Sequence, residues 1–206
     1  MVRNKIDQSL FRSSLHFMKE THSKVMESDE VGLMITEINH SCYLNLRGRS
    51  DDTALVQGVK RVLNIELPVR PGTFSSDDMA SIFWLSPDEW VINSNRPADA
   101  LQSELREAVQ GHIAVTDVSG GQTKIRLEGS SLLSVLQKAS GYDFEAWIFE
   151  DTYQNRCVQT NFAKATALVA HNPDGSFDLV IRRSFTDYIA KWLLDAGRES
   201  GCLIQQ

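Results

Sequence analysis

Two short apolar runs, Ile82–Leu85 and Trp90–Ile92, flank the polar tetrapeptide Ser86-Pro87-Asp88-Glu89. Pro87 presets the dihedral wanted at the second position of a type I turn, and Ser86 suits the first. β-Branched and aromatic residues fill both arms, which predicts an antiparallel hairpin. Ile82 and Trp84 share one face and Phe83 and Leu85 the other, so both faces are apolar. A hairpin of this kind belongs inside a sheet with material packed on each side.

The same reading extends along the chain. Residues 1–30 stand apart as an N-terminal arm: Leu10, Phe11, Leu15, Met18 and Val25 recur at helical spacing among polar residues. Such an arm either docks on a partner or lies as a helix on its own domain. Residues 31–206 form one domain. Val31–Ile38 and Cys42–Leu46 read as strands, and Asp51 or Asp52 caps a helix running to Leu63. Pro68 and Pro71-Gly72 break the chain before the hairpin. Pro97 opens a helix that Gly111 ends. Ile113–Val118 and Lys124–Leu127 read as a second hairpin about Gly120-Gly121. A helix follows from Gly129-Ser130-Ser131 to Gly141, then strand material at Trp147–Phe149 and Val158–Ala170. Asn172-Pro173-Asp174-Gly175 is a turn, Phe177–Ile181 a strand, and Ser184 the cap of a last helix. Two strands then a helix, repeated about four times, predicts an α+β fold of ββα units in two pseudo-equivalent halves.

Composition narrows the picture. A 206-residue chain with 42% apolar residues can bury a substantial core. Its net charge of −6, with both signs interspersed, argues against a nucleic-acid groove. No signal-peptide core follows Arg3 and Lys5, and no apolar run approaches the roughly 20 residues of a membrane span. Cys42, Cys157 and Cys202 are isolated and odd in number, so a reducing, cytoplasmic setting is expected.

Candidate chemistry is sparse. Glycine-rich nucleotide loops, a G-x-S-x-G elbow, C-x-x-C and H-E-x-x-H are all missing, and the five histidines are scattered. Asn172–Asp178 resembles a calcium loop only superficially, without the distal Glu, and reads as a tight turn. His112, Asp117 and Ser119 invite a triad reading, but on one strand position 112 faces away from 117 and 119. Asp88-Glu89 read as solvated turn carboxylates, and Arg182-Arg183 as structural bonds at a helix start. Trp84, Trp90, Trp147 and Trp192 could stack on a pterin-like ring, but core packing or subunit contact is the better reading. No catalytic, cofactor-binding or metal-ligating residue is assigned.

Several stretches in order nevertheless resemble one family. They are Leu44-Asn45-Leu46-Arg47-Gly48, Leu67-Pro68, Leu85–Ile92, Asp117-Val118-Ser119-Gly120 with Arg126-Leu127-Glu128-Gly129, and Phe177–Leu194. Gln159-Thr160 matches a further short step. Together, from Val31 to Arg198, they resemble the gamma subunit of heterotetrameric sarcosine oxidase, a relative of the folate-binding aminomethyltransferase fold. The resemblance implies a complex that oxidatively demethylates sarcosine to glycine, forms hydrogen peroxide and passes the one-carbon unit to tetrahydrofolate. It implies alpha, beta and delta partner subunits, with FAD, FMN, NAD and tetrahydrofolate in the larger subunits and zinc in delta. The gamma chain itself is expected to hold no cofactor and to be noncatalytic. The alternatives are a stand-alone folate-binding transferase or maturation factor, or a complex acting on another N-methyl amino acid. The Lys-Gly-Cys-Tyr-x-Gly mark of the maturation factors has only a faint echo in Ala139-Ser140-Gly141-Tyr142.

Overall fold

A computed structural model describes residues 13, 15, 31–38, 42–109, 111–149 and 155–205. The described elements follow in order. β1 (Leu33–Ile38), β2 (Cys42–Arg47), α1 (Thr53–Leu63), β3 (Phe74–Ser76), β4 (Ala80–Ser86) and β5 (Glu89–Ser94) come first. Next are α2 (Ala98–Ala108), β6 (Ala114–Asp117), β7 (Gln122–Glu128), α3 (Leu132–Ala139) and α4 (Glu145–Phe149). β8 (Arg156–Phe162), β9 (Ala165–His171), β10 (Phe177–Arg182), α5 (Thr186–Ala196) and β11 (Cys202–Gln205) complete the chain.

The strands form two sheets, ordered β3-β4-β5-β2-β6 and β11-β1-β7-β10-β9-β8. Their inner faces meet in a layer of Tyr43, Phe74, Phe83 and Val91 from one sheet against Cys157, Leu168, Ala170 and Val180 from the other. Each outer face is covered by helices. α1 and α2 supply Leu55, Val59, Leu101 and Leu105 to the five-stranded sheet, and α3 to α5 supply Leu136, Trp147, Ile189 and Leu193 to the six-stranded one. The architecture is thus α+β in four layers. Among the described residues, no helix is long and apolar enough to cross a membrane.

The opening hairpin has both faces where alternation puts them. Ile82, Trp84, Trp90 and Ile92 pack under α1 and α2, whereas Phe83, Leu85 and Val91 face the second sheet. Trp90 is fully buried, and its indole N–H donates to the Pro68 carbonyl at 2.7 Å. The turn is the two residues Pro87 and Asp88, and the register shifts between Trp84 and Ser86. That irregularity absorbs the mismatch between a short turn and the strand twist.

The repeat differs from the sequence reading. In the five-stranded sheet the chain runs strand, helix, three strands, helix, strand (β2-α1-β3-β4-β5-α2-β6). The six-stranded sheet repeats this as β7, α3 with α4, β8-β9-β10, α5, β11, with β1 inserted between β7 and β11. The unit is therefore longer than ββα. β6 and β7 lie in different sheets, so the segments about Gly120-Gly121 make a crossing between layers and no hairpin. Trp147–Phe149 is helical, because Asp143 Oδ1 accepts from the Glu145 and Ala146 N–H groups and starts a turn. Val158–Ala170 divides into β8 and β9 about Ala163, whose φ is +52°. Ser184 sits in a 3₁₀ turn ahead of α5 and makes no side-chain cap.

Local signals elsewhere operate as their chemistry dictates. Asp52 Oδ1 accepts from Ala54 N–H at 2.8 Å and caps α1. The free edge of β6 is covered by α2, as Gln102 and Arg106 both donate to the Val115 carbonyl at 2.7 Å. Of the N-terminal arm, only Ser13 and Leu15 lie within the described residues. Leu15 is buried against Ala190, with Leu194 and Ile204 beside it, and the Ser13 hydroxyl donates to Glu37.

Gly129 has a φ of +124°, and a Cβ there would stand 2.3 Å from the Gly32 carbonyl oxygen. Backbone cannot swing aside as a side chain can. Gly129→Ala is expected to cost about 2 kcal/mol or more, lowering the melting midpoint by roughly 4–8 °C in a chain of this size. Differential scanning calorimetry checks this, and an unchanged midpoint would contradict the crowding.

Candidate functional site

A cavity of about 640 Å³ opens between the two sheets. Period-2 alternation puts its wall there. Asn45 on β2, Glu89 and Val91 on β5 and Leu85 on β4 point inward from the five-stranded sheet. Gln122 on β7, Leu168 on β9, and Val180 and Arg182 on β10 point back from the other. Leu85, Val91, Val118, Leu168 and Val180 give it an apolar floor, and Lys164, Thr166, Arg182 and Phe185 stand at an exposed rim.

Its one carboxylate is already engaged. Glu89 Oε2 lies 2.8 Å from Arg47, and Glu89 Oε1 accepts from Asn45 Nδ2 at 2.7 Å. Both of its oxygens are thus taken up, one by a guanidinium and one by an amide. The wall includes no histidine, cysteine or serine. Its cation and amide groups over an apolar base equip it for binding.

Deeper in the same layer, a charge cluster missed in the sequence closes the core. Lys124 Nζ and Asp178 Oδ2 are 3.1 Å apart, with side chains 5% and 4% exposed. Arg126 Nε donates to Asp178 Oδ1 at 2.9 Å. Burial alone would push the Asp178 carboxyl up, but hydrogen bonding from Arg126 and the charges of Lys124 and Arg126 outweigh it and hold it below the ordinary aspartate range. The available signal was a lone aspartate inside the apolar run Phe177–Ile181, opposite a strand carrying Lys124 and Arg126 on one face.

The residues singled out in the sequence are mostly consumed by structure. Ser119 Oγ accepts from Tyr43 N–H at 3.0 Å and donates to Asp117, tying β2 to the crossing, whereas His112 is exposed and precedes β6. Asp88 accepts from the Ser86 hydroxyl at 2.6 Å. Trp84 and Trp90 belong to the core under α1 and α2. Trp147 stacks at 6.4 Å on Phe177, and Trp192 meets Phe162 edge-on at 5.6 Å. None of the four lines the inter-sheet cavity. Asn172–Ser176 is a tight turn with Gly175 at a φ of +84° and a 3.0 Å bond from Gly175 N–H to the Asn172 carbonyl. Glu89, Gln159 and Arg182 are brought together on the cavity wall, a grouping that sequence order does not show. The three cysteines are free and buried. Burial pushes their thiols up, Cys42 and Cys202 to about 11 and Cys157 to about 12. Among the described residues, no three His, Cys, Asp or Glu side chains converge as a metal site would need.

Comparison with known proteins gives this geometry a setting. The family described as "Sarcosine oxidase, gamma subunit family" matches residues 47–199. The sarcosine oxidase subunit gamma of Corynebacterium sp. (strain U-96) is 28% identical over 183 residues, covering 84% of this chain and 85% of that one. A chain of the heterotetrameric sarcosine oxidase from Corynebacterium sp. U-96, solved in complex with pyrrole 2-carboxylate, superposes with a TM-score of 0.78 at 25% identity. That match covers 91% of this chain and 95% of the other. The glycine cleavage system aminomethyltransferase T from Bartonella henselae shares the fold alone, with a TM-score of 0.56 and 13% identity over 84% of this chain and 48% of its own. The match over residues 47–199 spans the hairpin, the charge cluster and the cavity wall apart from Asn45, and the chain belongs to the sarcosine oxidase gamma subunit family.

Proposed function

We propose that this chain is a noncatalytic gamma subunit of a heterotetrameric sarcosine oxidase, built to support assembly of the complex. The observation that carries the reading is the match to nearly the whole length of a chain in such a heterotetramer, 95% of it at a TM-score of 0.78. The internal chemistry agrees with a scaffold: the cavity carboxylate pairs with Arg47 and accepts from Asn45, and the polar residues of the β6–β7 crossing bond one another.

On this reading alpha, beta and delta subunits are the partners, in the cytoplasm. FAD, FMN, NAD and tetrahydrofolate bind to the larger subunits and zinc to delta. The complex oxidises sarcosine to glycine with peroxide formation, and the one-carbon unit passes to tetrahydrofolate. Co-expression with large subunits from the same genome, followed by affinity capture of this chain, tests the reading. A yellow complex that oxidises sarcosine is the expected product. Recovery of the chain alone, binding tetrahydrofolate tightly as a monomer, would overturn it in favour of a stand-alone folate protein.

A further inference from the structure

We infer that the inter-sheet cavity is the seat of a carboxylate-bearing loop from another subunit of the assembly, an inference that rests on the subunit reading above. The chain as a whole is acidic, at −6. The cavity rim nevertheless carries two cations, Lys164 and Arg182, that form no ion pair with any described residue. Several surface cations find local partners, Arg49 with Asp51, Lys60 with Glu66, Arg96 with Glu104 and Arg198 with Asp195, whereas Lys164 and Arg182, unpaired among the described residues, stand together at one cavity. Glu89, the acid on the wall, is already neutralised by Arg47. The unbalanced charge of the cavity is therefore positive.

Hydrogen-bonding capacity is left over as well. The side chains of Thr116, Gln122, Gln159 and Thr166 line the wall without a protein partner among the described residues. Phe185 stands at the rim 40% exposed, close in sequence to Arg182. An exposed aromatic with an arginine and an apolar floor is the composition that concentrates binding energy at protein interfaces. The shape selects the occupant. A metabolite site encloses most of its ligand, whereas here Gln159, Lys164, Thr166 and Arg182 all face solvent. A protruding loop fits an open cleft of this kind, with carboxylates meeting Lys164 and Arg182 at the rim and an apolar side chain on Leu168 and Val180.

The test uses the chain co-expressed with its large subunits, comparing wild type, Lys164→Glu/Arg182→Glu, and a control pair, Lys60→Glu/Arg61→Glu, on α1. Circular dichroism and melting confirm that each variant is folded. The double reversal is expected to weaken assembly by roughly 100-fold, and the control to leave it within about 2-fold, as for a screened surface charge. Wild-type assembly should also weaken with added salt. Equal affinity of wild type and the double reversal would overturn the inference while leaving the subunit reading intact. Failure of the wild-type chain to assemble would overturn both. Glutarate binding to the isolated chain at millimolar concentration, with assembly indifferent to the reversal, would make the cavity a small-molecule site and also overturn it.

Discussion

Trp90→Ala is expected to remove about 3–5 kcal/mol of stability, which is a large share of the roughly 5–15 kcal/mol that holds a domain folded. Trp90 is fully buried beneath α1 and α2, beside Leu44, Leu46 and Leu105. Truncation leaves a cavity that the two helices cannot fill without breaking their seat on the sheet. It also strands the Pro68 carbonyl, which the indole N–H now satisfies at 2.7 Å. Trp90→Phe separates the two terms, since it keeps most of the apolar volume and loses only the bond, and should cost about 1–2 kcal/mol. Urea titration followed by circular dichroism reads both. An unchanged midpoint for Trp90→Ala would refute the hairpin as the centre of this half of the molecule.

Asp178→Asn is expected to be comparably damaging, by about 3–5 kcal/mol. Asp178 satisfies Lys124 and Arg126 together inside the layer between the sheets, and its loss leaves the Lys124 ammonium buried without a counter-charge. Arg126, about one-third exposed, keeps some hydration and suffers less. Lys124→Met/Asp178→Leu should be closer to wild type than Asp178→Asn alone, because a matched apolar pair carries no desolvation penalty. The pH dependence has a defined direction. The folded-state pKa of Asp178 lies below its unfolded value of about 3.9, so its contribution is complete above that pH. It is lost as pH falls through the lower, folded-state value. In Asp178→Asn the acid limb of the stability curve should flatten, and an acid limb identical to wild type would show that the carboxylate is not held as an anion by its neighbours.

The elements that the sequence revealed are those whose signals are local. The two apolar faces of the Ile82–Ile92 hairpin, the Asp52 cap and the Gly175 turn each depend on a few adjacent residues. Sheet partnership does not. β6 and β7 flank Gly120-Gly121 with strand-like alternation, and that pattern is the same whether the chain folds back within one sheet or crosses to another. β11 and α4, at four and five residues, are too short to show a period. Lys124 and Arg126 alternate with apolar residues as on a solvent-facing strand, and only the second sheet, laid face to face, buries that side together with Asp178. The cavity wall gathers residues from Asn45 to Phe185 on strands of both sheets, so no spacing motif could announce it.

The proposed role, assembly without chemistry, is read by sarcosine turnover per bound flavin in complexes of verified stoichiometry. Glu89→Gln and Asp117→Asn replace the carboxylates with the best apparent claim to acid–base work, one on the cavity wall and one at the crossing. Turnover within about 2-fold of wild type is the predicted result. A fall of about 100-fold or more, the size of a lost general acid or base, in a complex that retains its subunits and flavin, would contradict it.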